Sequence, residues 1–451
     1  MSAPHVVVVG GGLAGLQAGL ACADAGARVS LFEARPRLGG ATWSTTLEGL
    51  NVDNGQHVFM RCCTAYRGFL ERLGVTDRVE LQRRLSVPVA APDGRRAWLR
   101  RNALPAPAHL AASVLRFAHL PLSERLHAGL TARHMGALDL RDPAVDAQSL
   151  CDWLAARGES DAAIERFWDL LVRATLNLPA REASLSLAAK VFQTGLLERA
   201  DAFDVGWARV PLDAVHAAPA AAALAARGAR VCTRAPIEGV DVANPERPAV
   251  RVDGERVEAD ALILAVTHDV AADLLPDAAG VDCEGLRKLG ASPIVNLHVV
   301  FDRRVLDVPF LAAVDSPLQW IFDRSEASGL ERGQYLAVSL SGAEPWVGRS
   351  RADLQRVFLP AFHALLPATR DAGVERFFIT CERAATFRQA PGTAALRPGP
   401  RTQSPRLFLA GAWTDTGWPA TMEGACLSGL AASRHALAAA SRSAASPSLA
   451  A

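Results

Sequence analysis

A glycine triplet near the amino terminus constrains the fold of this chain more than any other feature. An apolar run at 6–9 enters Gly10, Gly12 and Gly15, and a helix rich in small residues is predicted over 16–25. In such a strand–turn–helix, the first glycine allows a tight turn and the second lets the backbone approach a pyrophosphate. The third lets the helix pack closely against the sheet, and the free N–H groups at the helix start face the phosphates. The segment predicts the first half of a dinucleotide-binding βαβ unit.

A second apolar run, 28–32, ends at Glu33, 23 residues after Gly10. An acid at the tip of the second strand of such a unit binds a ribose hydroxyl. Glycine triplets also occur in tight strand-to-helix turns that bind nothing. Here the preceding strand, the helix and the acid all agree, so the chain is predicted to bind a dinucleotide.

A second pair of glycines, Gly39 and Gly40, lies just beyond Glu33, with Arg35 and Arg37 beside it. This pattern resembles the extended FAD signature of the flavin amine oxidase and phytoene desaturase superfamily. The resemblance implies that the chain passes close to the phosphates of FAD at this pair, with basic side chains nearby. An ordinary glycine-rich loop is the alternative.

The segment 54–57 is unusually polar for a core segment and follows a predicted strand. By the same resemblance, this loop passes the flavin ring. The alternative is a hairpin on which Gln56 and His57 are ordinary polar residues.

A second motif lies near the carboxyl end of the chain. The apolar run 407–410 ends at Gly411, and 412–425 leads into a small-residue helix predicted to reach about residue 440. The start of a helix carries a partial positive charge, and a positive end at the N1–O2 edge of a flavin stabilises its reduced, anionic form. One flavin needs both motifs, although they lie about 400 residues apart.

The segments 54–57 and 416–425, together with the overall length, resemble the hydroxysqualene dehydroxylases of hopanoid and isoprenoid biosynthesis. Phytoene and zeta-carotene desaturases share the two motifs less closely. The resemblance implies that an allylic hydroxyl leaves hydroxysqualene and that reduced flavin delivers hydride from N5 to the allylic cation, giving squalene. The alternatives are an FAD-dependent carotenoid desaturase or isomerase, a flavin amine oxidase, and a non-catalytic isoprenoid-binding flavoprotein. Amine oxidases usually have an aromatic cage, and this chain has only Tyr66 and Tyr335 as tyrosines.

The motifs and the resemblance together identify candidate site residues. Those predicted to contact FAD are Gly10, Gly12, Leu13, Ala14, Gly15, Glu33, Ala34, Arg35, Gly40, Ala41, Thr42, Gly55, Gln56, His57, Ile237, Gly411, Ala412, Met422, Glu423 and Ala425. His57 and Asp415 are the candidates for the acid that protonates the departing water. The faces of Trp413 and Trp418 are the candidates for stabilising the cation of the substrate. Relatives carry Asp where this chain has Ala412, so weaker FAD retention is expected unless Asp415 or water substitutes.

These features predict an α/β fold. It consists of a Rossmann-like FAD-binding domain of the GR2, amine-oxidase-like type, interleaved with an α+β substrate domain. A chain of 451 residues is also too long for one compact core. The FAD-binding segments are predicted at 1–80, 206–290 and 396–440, the substrate segments at 81–205 and 291–395, and a disordered tail at 441–451.

Composition excludes several classes of protein. The formal net charge is +1, which gives no basic surface for nucleic acid. The eight cysteines have no metal-ligand spacing, so no metal site is predicted and the thiols are expected to be reduced.

No secretory signal pattern precedes the first strand and no apolar stretch reaches eighteen residues, so a cytoplasmic protein is expected. No second glycine motif for NADPH is found, and the electron donor is unidentified.

The segment 103–138 is the most amphiphilic part of the chain, with leucines at helical spacing and Arg116, Arg125 and Arg133 among them. It is either a set of packed helices in the substrate domain or a helical face that meets a membrane. A C30 isoprenoid is nearly insoluble, at about 0.8 kcal/mol per buried CH₂, and must be collected from a bilayer or a partner. Peripheral, salt-sensitive contact with the inner face of the cytoplasmic membrane is therefore expected.

Overall fold

A computed structural model describes residues 3–445. Within this range the strands, in chain order, are β1 (His5–Val9), β2 (Arg28–Glu33), β3 (Ser44–Leu47), β4 (Leu50–Asp53), β5 (Val58–Met60), β6 (Val79–Leu81), β7 (Ser86–Ala90), β8 (Arg96–Arg100), β9 (Val205–Ala208), β10 (Arg230–Thr233), β11 (Ile237–Asp241), β12 (Ala249–Val252), β13 (Glu255–Glu258), β14 (Ala261–Leu264), β15 (Ser292–Phe301), β16 (Phe310–Ala313), β17 (Trp320–Asp323), β18 (Gln334–Ser341), β19 (Val374–Thr386) and β20 (Leu407–Leu409).

The α-helices of the same range are α1 (Leu13–Asp24), α2 (Thr64–Leu73), α3 (Ala111–Leu115), α4 (Leu122–Gly136), α5 (Pro143–Asp146), α6 (Leu150–Ala155), α7 (Asp161–Ala163), α8 (Asp169–Leu176), α9 (Leu185–Phe192), α10 (Leu212–Val215), α11 (Ala217–Ala226), α12 (His268–Leu274), α13 (Cys283–Lys288), α14 (Ser325–Ser328), α15 (Arg351–Leu365) and α16 (Met422–Ala445). Two π-helical turns, Ile164–Trp168 and Gln193–Leu197, adjoin α8 and α9.

The first domain is built on a five-stranded parallel sheet in the order β10-β2-β1-β14-β20. Its strands are short apolar runs that are almost fully buried in the middle of the sheet, because both faces are covered. Val6 and Val8 pack with helices α1 and α16 on one face, and Val7 and Leu262 share a core with residues of β12 on the other. Helices α1 and α16 pack against each other and against this sheet. Because the strands are parallel, their carboxyl ends, which precede Gly10, Ala34 and Ala410, meet at one edge.

The second domain is built on a seven-stranded mixed sheet in the order β19-β15-β18-β17-β16-β7-β8. Residues alternate between its two faces. One face carries Val295, Leu297 and Val338 and shares a buried core with Phe358 and Phe362 of α15. The other face carries Asn296 and the residues paired with it across the sheet, and it is turned toward the loop after β4.

The chain passes between the two domains several times. The parallel sheet takes its strands from 5–33, 230–264 and 407–409, and the mixed sheet takes its strands from 86–100 and 292–386. The six segments proposed from the sequence remain a prediction at their boundaries. Helix α16 runs to Ala445, so 441–445 are helical and not part of a disordered tail; the rest of that tail, 446–451, lies outside the described residues.

The amphiphilic segment 103–138 divides into buried and exposed residues. Phe117 and Leu120 are buried in the core, whereas the leucines of the outer face are exposed. Those exposed leucines are Leu104, Leu115, Leu122, Leu126 and Leu130. Within residues 3–445, no helix has the length and apolarity needed to cross a bilayer.

Candidate functional site

The turn after β1 has the geometry of a phosphate cradle. Gly10 has a φ of +107°, and a Cβ on Gly15 would lie 1.9 Å from the carbonyl oxygen of Gly10. Neither position therefore accepts a side chain. Helix α1 begins after Gly12 without a side-chain cap, so the first N–H groups of the helix, those of Leu13, Ala14 and Gly15, have no intrahelical acceptor.

The second glycine pair lies directly against the first motif. The backbone N–H of Gly39 donates to the carbonyl of Gly11 at 2.8 Å. A Cβ on Gly40 would lie 2.7 Å from Cα of Gly12, whereas a Cβ on Gly12 would meet only Cα of Gly40, at 3.6 Å. Gly12 thus keeps an open side, which is where a phosphate group has room.

Glu33 closes the turn on the ribose side. Its carboxylate accepts the backbone N–H groups of Gly11 at 2.7 Å and of Arg35 at 2.8 Å. Each oxygen retains a lone pair for a ribose hydroxyl. The carbonyl of Glu33 accepts the N–H of Ala235 at 2.9 Å, and this contact brings the segment that leads to Ile237 beside the same turn.

The remaining residues of the second motif have different surroundings. Ala34, Arg35 and Ala41 are exposed, and Thr42 is buried. The Thr42 hydroxyl donates to the carbonyl of Gly39 at 2.9 Å, so its side chain stabilises the turn.

The loop 54–57 is held by both domains. The Asn54 amide donates to the carbonyl of Ala41 at 2.9 Å. From the mixed sheet, the amide of the fully buried Asn296 donates to the carbonyl of Asn54 at 2.8 Å. The hydroxyl of Ser339 in turn donates to Asn296 at 2.9 Å. Sequence reasoning missed Asn296, although its position as the one amide in the apolar strand β15 was a usable signal.

Gln56 and His57 line a small pocket at the end of this loop. The amide nitrogen of Gln56 is buried and has no hydrogen-bond partner among the described residues. An unpartnered buried amide is costly unless a ligand accepts from it. Gln56 is therefore available to a bound molecule in this pocket.

His57 is neutral at neutral pH. Burial lowers the pKa of its imidazole, and the carbonyl of Gly55 and the charges of Asp53 and Glu382 oppose this only in part. Nδ1 lies 3.1 Å from the carbonyl oxygen of Gly55, so Nδ1 carries the hydrogen and Nε2 is an acceptor. In this state His57 is poorly suited to be the acid proposed from the sequence.

The carboxyl-terminal loop is tied firmly to the parallel sheet. Gly411 has a φ of +147°, and a Cβ there would lie 2.4 Å from Nε1 of Trp413. The indole of Trp413 is buried and donates to the carbonyl of Val266 at 2.8 Å. Its ring therefore supports the loop from within the core, which disfavours the role of facing the substrate.

Arg397 shapes the same loop, and the sequence reasoning did not single it out. Its buried guanidinium donates to the carbonyls of Thr414 and Trp418, both at 2.7 Å. The loop curls around this side chain and leaves Asp415 exposed, where its carboxylate accepts the N–H of Gly417 at 3.1 Å. Ala412 is half-buried within the loop.

Glu423 stabilises a neighbouring helix through its side chain. Its buried carboxylate accepts the N–H groups of Ala65 at 3.0 Å and Tyr66 at 2.7 Å, at the start of α2. Any contact of Glu423 with a cofactor is therefore left to its backbone. At the start of α16, Thr421 caps the N–H of Gly424 at 3.1 Å, while Met422 and Ala425 are half-buried.

Trp418 is half-buried, and Nζ of Lys190 lies 5.4 Å from the centre of its ring. A second aromatic group, missed from the sequence, adjoins Gln56 and His57. Its members are Trp207, Phe310, Trp320 and Phe322. Trp320 and Phe322 are two residues apart on β17, and alternate residues of a strand lie on the same face, so their spacing in the sequence was a usable signal for this pair.

These residues fit FAD. The open side of Gly12 and the uncapped start of α1 suit the pyrophosphate, and Glu33 suits the ribose. The unpartnered amide of Gln56 and the start of α16 would lie toward the flavin. The side chain of Asp415 is exposed to solvent, and that of Trp413 is buried against Val266, so neither is expected to contact the flavin.

Comparison with known proteins agrees with this arrangement. The profile of the family described as flavin containing amine oxidoreductase matches residues 13–437. A hydroxysqualene dehydroxylase of Rhodopseudomonas palustris is 30% identical, over 94% of this chain and 96% of that protein. A probable zeta-carotene desaturase of Synechococcus elongatus is 25% identical, over 95% and 98%.

The fold recurs in the solved structure of cyclohexylamine oxidase from Brevibacterium oxydans. The TM-score is 0.71 at 16% identity, over 98% of this chain and 100% of that chain. The predicted α/β fold, with its Rossmann-like FAD-binding domain, and the predicted cofactor are thereby confirmed. The chain belongs to the flavin containing amine oxidoreductase family and is an FAD-dependent oxidoreductase.

Proposed function

We propose that this protein reductively removes the hydroxyl group of hydroxysqualene to give squalene. The observation that carries the proposal is the pocket at Gln56 and His57, which adjoins a wall of aromatic rings. The similarity to hydroxysqualene dehydroxylases over nearly the whole chain supports the same reaction.

The residues of the pocket suit the departure of an allylic hydroxyl. Loss of that group as water, with a proton taken up from solvent, leaves a delocalised cation on the isoprenoid, which the rings of Trp207 and Phe322 in the pocket wall can stabilise. The unpartnered amide of Gln56 can donate a hydrogen bond to the leaving oxygen. Bound reduced FAD supplies the hydride for this reaction.

The two carboxylates of the pocket already form an ion pair or a hydrogen bond with other side chains. Asp53 pairs with Arg324 at 2.7 Å, and Asp323 accepts the amide of Gln334 at 2.7 Å. Their side chains are therefore held in the wall of the pocket, and the apolar side chains of Trp207, Leu212 and Phe322 line another part of it and limit the access of water. Water exclusion protects an allylic cation from recapture.

The reaction is tested by incubating the reduced holoenzyme anaerobically with hydroxysqualene and, separately, the oxidised holoenzyme with phytoene. We expect squalene from the first incubation and unchanged phytoene from the second. Dehydrogenation of phytoene without formation of squalene would instead support a carotenoid desaturase, the alternative that the zeta-carotene desaturase relative favours.

We further propose that the exposed leucines of α4 contact an anionic membrane surface. Leu122, Leu126 and Leu130 recur every fourth residue and are 55–61% exposed. The guanidinium group of Arg133 on the same helix is exposed and can meet anionic headgroups.

Vesicle flotation at low and high salt tests this contact. The wild type is expected to float with anionic vesicles at low salt only, and Leu122→Ser with Leu126→Ser is expected to abolish flotation. Val357→Ser, at a position on α15 that is 40% exposed, is the control and should float like the wild type. A wild type that stays at the bottom of the gradient would refute the proposal.

A further inference from the structure

A second, larger cavity opens on the substrate domain. Its volume is about 320 Å³, and it lies between the π-helical turn Ile164–Trp168 and the hairpin formed by β16 and β17. Apolar residues of its wall include Ile164, Leu170, Val314 and Trp320. Nothing in the flavin-binding motifs accounts for this cavity.

Two ion pairs border the cavity. Arg166 donates to Asp315 at 2.8 Å, and Arg173 donates to Asp169 at 2.8 Å. The other two charged residues of the wall, Glu165 and Arg181, are exposed to solvent. An apolar molecule entering the cavity would therefore not have to bury an unpaired charge.

Aromatic rings separate this cavity from the pocket at His57. Trp320 lines the large cavity, and its ring stacks on that of Phe322 with centres 6.3 Å apart. Phe322 lines the pocket of His57 together with Trp207. Phe310 contacts both tryptophans, with ring centres 5.4 Å from Trp207 and 6.2 Å from Trp320. These aromatic side chains thus form a continuous set of contacts between the walls of the two spaces.

The border of the cavity contacts the turn that leads into α4. Arg166, which borders the cavity, lies 3.5 Å from the carbonyl oxygen of His119 in this turn. Arg125 of α4 donates to the carbonyls of Leu115 and Leu120 and so fixes the same turn. The cavity border is thereby linked to the start of α4, the helix that carries exposed leucines.

We propose that the 320 Å³ cavity is the entrance for a long apolar chain, which passes along the rings of Trp320, Phe322 and Trp207 to reach Gln56 and His57. The inference rests on the proposed function for the class of ligand, a C30 isoprenoid. It adds the route and the residues that select for length. Trp207 is a specificity-determining residue in this scheme, because it lines the pocket of His57 and not the cavity, so a chain too short to reach from the cavity to His57 gains no contact with Trp207.

The test measures binding without turnover. Radiolabelled squalene in mixed micelles is equilibrated with oxidised holoenzyme, either wild type or Ala313→Phe. Ala313 is half-buried in the cavity wall at the end of β16, where an aromatic side chain suits a strand and would fill the entrance. We expect at least tenfold weaker binding by Ala313→Phe. Val374→Phe, at an exposed position on β19, is the matched control and should bind like the wild type.

The outcomes separate the entrance from the proposed function. Equal binding by the wild type and Ala313→Phe would overturn the entrance and leave the proposed substrate class in place. Failure of the wild type to bind squalene would overturn the proposed function, and this inference with it.

A second measurement needs no variant and so does not depend on the folding of Ala313→Phe. Photolysis of the wild-type holoenzyme with a benzophenone-tagged farnesol is expected to label peptides within 164–181 or 310–322. Labelling confined to other peptides would overturn the entrance.

Discussion

Glu423 and Tyr66 join the last helix of the chain to its second helix: Oε2 of Glu423 lies 2.7 Å from the backbone nitrogen of Tyr66. The same carboxylate accepts the N–H of Ala65 at 3.0 Å. One side chain thus satisfies two of the N–H groups that every helix start leaves unpaired. This contact fixes α2 against the start of α16, where the flavin is expected.

Glu423→Ala is expected to lower the free energy of unfolding of the apoprotein by about 1–3 kcal/mol, because it leaves the buried N–H groups of Ala65 and Tyr66 without an acceptor. Urea unfolding followed by circular dichroism measures the change. Glu71→Ala, at an exposed position on α2, is the control and is expected to change the stability by less than about 0.5 kcal/mol. Equal effects of the two substitutions would contradict the role of Glu423.

The stability should also depend on the proton of Glu423. Burial raises the pKa of this carboxyl above its usual value of 4.5, although the N–H groups of Tyr66 and Ala65 oppose the shift. The folded protein then keeps the proton to a higher pH than the unfolded chain. Stability is therefore lost as the pH rises from about 4.5 through the folded pKa. Between pH 4.5 and 7 the wild type is expected to lose stability relative to Glu423→Gln, and a constant difference across this window would refute the shift.

Substitutions at Gly12 and Gly15 should separate cofactor binding from folding. A Cβ added at Gly12 would meet only Cα of Gly40, at 3.6 Å, whereas a Cβ added at Gly15 would lie 1.9 Å from the carbonyl oxygen of Gly10. We expect Gly12→Val to weaken FAD binding at least 100-fold while changing apoprotein stability by about 1 kcal/mol or less. Gly15→Val is expected to lose FAD and several kcal/mol of stability.

Isothermal titration with FAD and urea unfolding measure the two effects at Gly12 and Gly15. Gly68→Ala, with no atom within 4 Å of the added Cβ, is the control and should bind FAD normally. If Gly12→Val retained stoichiometric FAD, this result would contradict the assignment of the turn at Gly12 to FAD binding.

Ala412→Asp introduces into the carboxyl-terminal loop the acid that the family resemblance implies at this position. Ala412 is half-buried, and its carbonyl lies 3.4 Å from Nη2 of Arg397, so a carboxylate there would have a guanidinium nearby. We expect FAD affinity to be unchanged or tighter. A tenfold loss of affinity, about 1.4 kcal/mol, would mean that the loop binds the cofactor in another way. Asp415→Asn, at the exposed position, should leave the affinity unchanged.

The buried pair of Asp53 and Arg324 should contribute more to stability than an exposed pair. Oδ2 of Asp53 lies 2.7 Å from Nη2 of Arg324, and both side chains are less than 10% exposed. Arg324→Met leaves a buried carboxylate unpaired and is expected to cost about 3–5 kcal/mol. Arg209→Met breaks the exposed contact with Glu326 and is expected to cost about 0–1 kcal/mol. Similar costs in urea unfolding would contradict the larger contribution of the buried pair.

The sequence by itself determined the features that rest on local conformation. The spacing of Gly10, Gly15 and Glu33 predicted a dinucleotide-binding turn, and the structure gives Gly10 the positive φ and Gly15 the close helix contact that such a turn requires. The polar loop at Gln56 was found in the same way, because a polar run after an apolar strand is visible in one dimension.

Only the tertiary structure decided which distant side chains meet. The sequence placed Glu423 at the cofactor and Trp413 at the substrate, but the fold pairs Glu423 with Tyr66 and buries Trp413 against Val266. It also brings Trp207 against Phe310, about 100 residues further along the chain. Such contacts depend on how two sheets and their helices pack, since burial and hydrogen-bond satisfaction are properties of the whole fold and not of a local sequence pattern.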